Sequence, residues 1–154
     1  MFSARGAAII GLSVVARETV YVLNQDMSLN TEVLEKFLGK YGGERFIIFG
    51  FTFVVWQHFY LELLKMKNKY DMSKAFLMTG GGWKRLESDA VTREQFKDSL
   101  HTMCGIGHFL DHYGMVEQTG CIYAECECGN LHASNYSDVI IRDYRDFSVC
   151  PNGS

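Results

Sequence analysis

The chain has very little proline and no long uninterrupted apolar segment. Pro151 is the single proline among 154 residues, so a stiff proline-rich linker is excluded. The longest apolar stretch, Phe46 to Trp56, is far shorter than the roughly 20 residues that a transmembrane helix needs. We therefore expect a globular protein without a membrane span.

Strong charge of either sign is also lacking. The formal net charge is −3, with 15 basic and 18 acidic residues, so the charge gives no reason to expect binding to nucleic acid or to an anionic membrane. Hydrophobic residues make up 47% of the chain and charged residues 21%, a composition typical of a packed core. We predict a single domain over residues 1–154.

The features of a secreted protein are missing as well. The apolar stretch after Arg5 is interrupted by Gly6 and Gly11 and is followed by no clear cleavage site, which favours a buried strand over a leader peptide. The number of cysteines is odd, five, and this argues against a secreted disulfide framework. We expect a cytoplasmic protein with reduced thiols.

Three short apolar segments are typical of buried strands because they lack strict alternation: Ala7 to Val14, Phe46 to Phe51 and Lys74 to Thr79. Helical spacing of apolar residues predicts helices between them, over Asn30 to Tyr41 and Phe53 to Lys69. Alternation of strands and helices predicts an α/β fold with a parallel sheet and crossover helices.

The sequence pattern changes after the third predicted strand. Thr92 to Cys104 is predicted as a helix, since Thr92 is followed three residues later by Gln95 as in a capping box. Short β-prone pieces come next, at His108 to Tyr113, Cys121 to Glu125 and Val139 to Arg142. We therefore predict an α/β part over about residues 1–118 and a β-rich part with short strands over about 119–154.

Gly80, Gly81 and Gly82 directly follow the third predicted strand. Consecutive glycines allow positive φ angles and let the backbone approach a flat ligand closely. In open α/β sheets ligands bind beyond the carboxyl ends of the strands, which is where this segment lies. The alternative is a plain glycine turn. The spacings of a P-loop and of a dinucleotide fingerprint are absent.

The segment from Asp111 to Gly120 combines an aromatic ring, a glycine and a carboxylate, at Tyr113, Gly114 and Glu117. A tyrosine face can stack on a nucleobase. A carboxylate a few residues later can hold Mg²⁺ beside phosphates, because that ion prefers oxygen ligands. The alternative is a buried tyrosine followed by a solvated glutamate.

These segments resemble those of known enzymes. Asp111 followed by Tyr-Gly-x-x-Glu at residues 113–117 resembles the Asn/Asp-x-Tyr-Gly-x-Thr-Glu signature of adenylate-forming enzymes. The strings at 80–84 and 113–120 resemble the LuxE-type acyl-protein synthetases in particular. Residues 125–132 and 138–143 are similar to LuxE-type and phenylacetate–CoA ligase-type sequences. The resemblance is strongest from Phe76 to Asp143.

The resemblance implies a role for each residue of the two segments. The backbone of Gly80, Gly81 and Gly82 would line an adenine slot and Asp111 would hydrogen-bond the adenine edge. Tyr113, followed by Gly114, would stack on the base. Glu117 would be the catalytic residue, acting as the Mg²⁺ ligand at the ATP phosphates. ATP and Mg²⁺ are the implied cofactors.

The implied activity is ATP-dependent conversion of a carboxylic acid, by family expectation a fatty acid, to acyl-AMP. The acyl group would then pass to a thiol, either a protein cysteine or coenzyme A, and an acyl reductase is a candidate partner. Three alternatives stay open. They are an aryl- or acyl-CoA ligase of the phenylacetate–CoA ligase type, a nucleotide-binding scaffold domain without catalysis, and a small zinc-stabilised interaction domain built on the cysteines of the β-rich part.

Two departures from the superfamily pattern affect this interpretation. Val116 stands where the signature has a hydroxyl residue. No phosphate loop, ribose-binding aspartate motif or catalytic-lysine segment is recognisable. We therefore expect a central fragment of the large N-terminal domain of an adenylate-forming enzyme, with little or no adenylation by the chain alone.

A group of soft metal ligands lies in the β-rich part. The spacing Cys-x4-Cys-x-Cys-x3-His places four candidate Zn²⁺ ligands within twelve residues, Cys121, Cys126, Cys128 and His132. The spacing is not one of the standard zinc patterns. Free thiols and a histidine in a turn are the alternative.

Overall fold

The computed structural model describes residues 4–83, 90–114 and 122–151. The chain forms two compact units, Met1–Asp111 and His112–Ser154. The described elements, in chain order, are α1 (Ala4–Ser13), α2 (Thr31–Tyr41), β1 (Phe46–Phe51), α3 (Thr52–Val54), a π-helix (Val55–Tyr60), α4 (Leu61–Met66), β2 (Ala75–Gly80), α5 (Arg93–Cys104), β3 (His108–Gly114), β4 (Ile122–Glu125) and β5 (Leu131–His132).

The strand predicted over Ala7 to Val14 is wrong, because this part of the chain forms helix α1. A short apolar run without alternation suits a strand and a helix equally, and alanine is the best helix former. The segment is not buried at its end either, since Val14 and Val15 are 79% and 82% exposed. The sheet therefore begins one strand later than predicted.

Helix α2 confirms the prediction for Asn30 to Tyr41. The side chain of Asn30 accepts a hydrogen bond from the Val33 backbone N–H at 3.0 Å, which satisfies one of the amides that a helix start leaves unpaired. Leu34 on this helix is only 4% exposed and belongs to the hydrophobic core. Capping and burial of an apolar side chain together fix the position of the helix.

Strands β1 and β2 pair in parallel, in register from Phe46 with Ala75 to Phe51 with Gly80. The predicted crossover helix between them is present as α3, the π-helix and α4. Gly50 permits the close return of this helix over the strand, because a Cβ atom there would lie 2.6 Å from Cγ2 of Val55. The central prediction of parallel strands joined by a helix is confirmed for this pair.

Helix α5 is the second crossover helix and has the capping box predicted from Thr92 and Gln95. The Gln95 N–H donates to Thr92 Oγ1 at 3.2 Å, and the Thr92 N–H donates to Gln95 Oε1 at 2.9 Å. The helix ends at Gly105, whose φ of +74° favours glycine. At this end the Met72 N–H donates to the Cys104 carbonyl at 2.7 Å.

Two contacts show how β3 runs relative to β2 within the first unit. The hydrogen bond from Met72 to Cys104 holds the end of α5 against the segment that precedes β2. In addition, the His108 ring at the start of β3 stacks on Phe76 near the start of β2, with 6.4 Å between ring centroids. Because the two strand starts lie together, β2 and β3 run in the same direction. Within the first unit, Asp111 on β3 therefore lies towards the same edge of the sheet as Gly80 at the end of β2.

The hydrophobic core of the first unit lies between the strands and the two crossover helices. Its most buried members come from the crossover helices, from β2 and from the segments beside them. The least exposed side chains are Leu63, Met72, Ala75, Leu77, Leu100, Cys104 and Ile106. Ala75 and Leu77 of β2 are among them, so β2 lies in the core.

In the second unit, the end of β3 pairs antiparallel with β4, and β4 pairs antiparallel with β5. The predicted short strands at His108 to Tyr113 and Cys121 to Glu125 are thus confirmed within the described residues. The strand predicted at Val139 to Arg142 is wrong, since Arg142 forms only an isolated bridge with Val149. Ile140 and Ile141 are each 60% exposed. β-branched residues form a strand only where a partner strand packs against them.

Over the described residues the strands form a five-stranded sheet in the order β1-β2-β3-β4-β5, parallel in one part and antiparallel in the other. The fold is thus mixed α/β, as predicted. The assignment to the large domain of an adenylate-forming enzyme and the single domain with a division near residue 118 stay predictions. No helix within 4–83, 90–114 and 122–151 has the length and apolar character to cross a bilayer.

Candidate functional site

The predicted glycine segment lies at the carboxyl end of β2. Gly80 is the last residue of the strand, and its carbonyl accepts a hydrogen bond from Thr52 Oγ1 at 3.4 Å. Gly81 and Gly82 have φ angles of +78° and +56°, which favour glycine. Among the described residues other than its chain neighbours, no atom would lie within 4 Å of a Cβ atom at Gly82. Gly80 is buried, whereas Gly81 and Gly82 are exposed and present their backbone at the edge where ligands of α/β sheets bind.

An aromatic cluster anchors the residue that follows the glycines. The Trp83 ring makes edge-on contacts with Trp56 and Phe96, with ring centroids 5.9 Å and 6.3 Å away. Trp56 also stacks on Tyr60 at 4.4 Å, and both belong to the π-helix. Single π-helical turns inside α-helices occur frequently at functional sites. The packing of Trp83 holds the backbone of the glycine segment in place without covering Gly82.

Asp111 lies on β3 at the same edge and is exposed. Phe109 precedes it by two positions, so the two side chains share one face of the strand. The Lys97 ammonium of α5 lies over the Phe109 ring, 5.9 Å from its centroid. Gly80 to Gly82 and Asp111, predicted to contact adenine together, are thus brought to one edge within the first unit.

Lys97 is a residue that sequence reasoning missed. Burial is the main factor that lowers its pKa, followed by the charge of Arg93, whereas the carboxylates of Glu94 and Asp111 act in the opposite direction. A usable signal was present in the sequence. The first turns of a crossover helix lie near the carboxyl ends of the strands, so a cation there faces the ligand edge.

Tyr113 and Gly114 end strand β3 and belong to the second unit. Tyr113 is 51% exposed. Its ring lies 6.2 Å from that of Tyr123, its cross-strand partner, with an angle of 32° between the planes. One part of the ring is thus supported by a neighbouring aromatic residue and the rest is accessible, as stacking on a base requires.

Glu117, predicted as the catalytic Mg²⁺ ligand, lies outside the described residues, as does Cys121. A carboxylate has the oxygen donors that Mg²⁺ prefers, so the residue type fits the ion. The glycine segment and Asp111 belong to the first unit, and Tyr113 belongs to the second.

The predicted zinc ligands are only partly brought together. Cys126 and His132 lie on one face of the β4–β5 hairpin, since Ala124 pairs with His132 and Cys126 follows Ala124 by two positions. The hairpin closes through a hydrogen bond from the Cys126 N–H to the Asn130 carbonyl at 2.9 Å. Within residues 4–83, 90–114 and 122–151, no three His, Cys, Asp or Glu side chains cluster as a metal site would need.

The environment of Cys126 nonetheless favours a thiolate. A backbone amide hydrogen bond from Asn130 and then the His132 side chain lower its pKa from 9.0 to about 7. Cys104 in the core shows the reverse, because burial raises its pKa to about 12. The two thiols thus differ widely in acidity, and Cys126 is the more reactive type.

A family model described as the LuxE acyl-protein synthetase matches residues 4–154. The chain belongs to the LuxE acyl-protein synthetase family. This result confirms the resemblance noted for the segments around Gly80 and Tyr113. No curated protein and no solved structure matches the chain significantly. Membership in the LuxE family implies an acyl-protein synthetase, which is a ligase that acts on an acyl substrate and a protein acceptor.

Proposed function

We propose that the chain supplies the adenine and magnesium side of an ATP site, in an enzyme that activates a fatty acid as acyl-AMP and transfers the acyl group to a protein thiol. The observation that carries the proposal is the edge formed by β2 and β3 in the first unit. There, Gly81 and Gly82 present open backbone with positive φ angles, and Asp111 lies on the adjacent strand.

In this proposal the base is recognised by shape and by one charged acceptor. A flat adenine ring lies against the exposed backbone of Gly81 and Gly82, which follow the buried Gly80; a Cβ atom on either glycine would occupy the space of the ring. The Asp111 carboxylate accepts a hydrogen bond from the 6-amino group of adenine, and hydrogen bonds to charged groups are stronger than neutral ones. Tyr113 supplies the stacking surface because half of its side chain is exposed.

The reaction proceeds in two steps. A carboxylate oxygen of the fatty acid attacks the α-phosphorus of ATP, so that an acyl–phosphate bond forms and pyrophosphate leaves. A cysteine thiolate of the acceptor then attacks the acyl carbon, so that a thioester forms and AMP leaves. Mg²⁺, held through Glu117, would neutralise negative charge on the phosphates. The chain's contribution is to bind and orient the nucleotide.

A protein cysteine is favoured over coenzyme A as acceptor by membership in the acyl-protein synthetase family. A labelled fatty acid should therefore become attached to protein when ATP is present. The label should be removed by neutral hydroxylamine, which cleaves thioesters. Transfer to coenzyme A alone, with no labelled protein, would contradict this part of the proposal.

The experiment for the activation step is exchange of labelled pyrophosphate into ATP by the full-length protein that carries these residues. We expect exchange that depends on added fatty acid. Glu117→Gln should reduce it by roughly two orders of magnitude, since the metal would lose its carboxylate. Glu127→Gln is the matched control, because Glu127 is an exposed glutamate of the β4–β5 turn. Equal rates in both variants would remove Glu117 from the site.

A further inference from the structure

Lys97 is a cation in the second turn of α5. The helix begins on the side of the carboxyl ends of the strands, because Trp83 packs on Phe96 at 6.3 Å and Cys104 lies beside Met72 before β2. The Lys97 side chain therefore lies at the level of the strand ends. It is placed where a ligand at this edge would be bound.

Lys97 reaches the face of β3 that carries Asp111. Its ammonium lies 5.9 Å from the centroid of the Phe109 ring, a cation–π distance. Asp111 is on the same face as Phe109, two positions further along the strand. The Asp111 carboxylate attracts the Lys97 ammonium.

The neighbours of Lys97 explain why it would be held there. Arg93, one turn earlier on α5, repels the ammonium, and Glu94 attracts it. Partial burial of Lys97 removes water that would screen these interactions. The aromatic ring of Phe109 restricts the long side chain, which otherwise has many conformations.

We propose that Lys97 is a positioning residue, which orients the Asp111 carboxylate towards the 6-amino group of adenine. A carboxylate has about four lone-pair sites, so it can accept a hydrogen bond from the base while it interacts with the ammonium. The Lys97 ammonium compensates the charge of Asp111 and fixes the orientation of its carboxylate. Asp111 therefore favours a purine that carries an amino group at position 6. This inference rests on the proposed binding of ATP at the same edge.

The test compares two nucleotides that differ only in the recognised group, ATP and purine riboside triphosphate, which lacks the 6-amino group. Calorimetric Kd values are measured for wild type, Lys97→Met and Lys97→Arg. Wild type should prefer ATP by about tenfold or more, the weight of a hydrogen bond to a charged group. Lys97→Met should lose most of that preference, because it should bind ATP more weakly and bind purine riboside triphosphate as wild type does. Lys97→Arg should retain it, because the charge is kept.

Arg93→Met is the matched control, since it removes the other cation of the same helix, one turn away. It should leave the preference for the amino group unchanged. Equal weakening of both nucleotides by Lys97→Met would indicate a general structural or charge effect and would overturn the inference. The same loss of preference in Arg93→Met would also overturn it.

Failure of the proposed function gives a different result. In that case wild type would bind neither nucleotide, and the role of Lys97 would fall with it. Wild type that prefers ATP, with the preference unchanged in Lys97→Met, would refute the positioning role and leave the ATP site in place. Thermal unfolding of every variant shows whether the fold is retained.

Discussion

Replacement of Tyr113 by alanine tests the stacking surface directly. The side chain is 51% exposed, so about half of it is buried in the fold. Full burial of a large apolar side chain stabilises the fold by roughly 1.5–3 kcal/mol, and Tyr113 therefore contributes about half of that. We expect Tyr113→Ala to lower the free energy of unfolding by about 1 kcal/mol. That loss is small enough for the variant to remain folded.

The effect on nucleotide binding should be larger. Stacking of a base on an aromatic side chain is worth about 1–3 kcal/mol, which corresponds to roughly a 5- to 150-fold rise in Kd. The assay is isothermal titration of Mg-ATP into the purified protein. Tyr113→Phe should bind ATP nearly as well as wild type, because the ring and its contact with Tyr123 are retained.

Tyr136 provides the matched control for this prediction. It is a tyrosine of the same unit whose side chain is 100% exposed, and no role in binding is assigned to it. Tyr136→Ala should leave the Kd unchanged. If folded Tyr113→Ala binds ATP as tightly as Tyr136→Ala, Tyr113 is not the stacking residue and the reasoning from its exposure is refuted.

Three further predictions concern the fold and the thiols. Thr92→Ala removes the capping box with Gln95 and should lower the free energy of unfolding, measured in urea, by about 1 kcal/mol. Thr92→Ser keeps the hydroxyl and should lower it much less. Equal losses in the two variants would exclude the cap as the cause. Leu100→Ala should cost about 2–5 kcal/mol, since Leu100 is 0% exposed; a loss below about 1 kcal/mol would contradict its place in the core. The rate of alkylation of Cys126 by iodoacetamide should rise steeply as the pH passes about 7, because the pKa of this thiol is lowered to about 7. Cys104 should stay unmodified, because burial raises its pKa to about 12. Mass spectrometry reads both sites, and equal labelling would refute the difference.

Sequence patterns predicted the elements whose local signals and burial agree. Phe46 to Phe51 is a β-prone apolar run that also packs on the core, and its bounds match β1. The capping pair Thr92 and Gln95 fixes the start of α5 by local hydrogen bonds. In such cases local preference and tertiary packing favour the same structure.

The errors arise where the partner of a segment decides its structure. Ala7 to Val14 has apolar residues but no alternation, and without a neighbouring strand its alanine content favours a helix. Val139 to Arg142 has β-branched residues, yet outside a regular ladder they stay largely exposed. Pairing over such distances is not encoded in the segment itself.

The candidate site was predicted to a different extent at each residue. The place of Gly80 to Gly82 follows from their position after a strand, and Asp111 follows from the strand on which it lies. The place of Lys97 in the first turns of α5 can be read from the sequence, but its relation to Phe109 and Asp111 depends on how α5 packs against β3. A contact between a helix and a strand that are distant in sequence requires the three-dimensional structure.

Formation of acyl-AMP is tested most directly by following the α-phosphate of ATP. The full-length protein is incubated with Mg²⁺, a fatty acid and ATP labelled at the α-phosphorus, and the products are separated by chromatography. We expect labelled acyl-AMP that forms only when fatty acid is present, with release of pyrophosphate and no labelled ADP. Labelled ADP in place of acyl-AMP would show transfer of the terminal phosphate and would rule out activation of the acid through acyl-AMP.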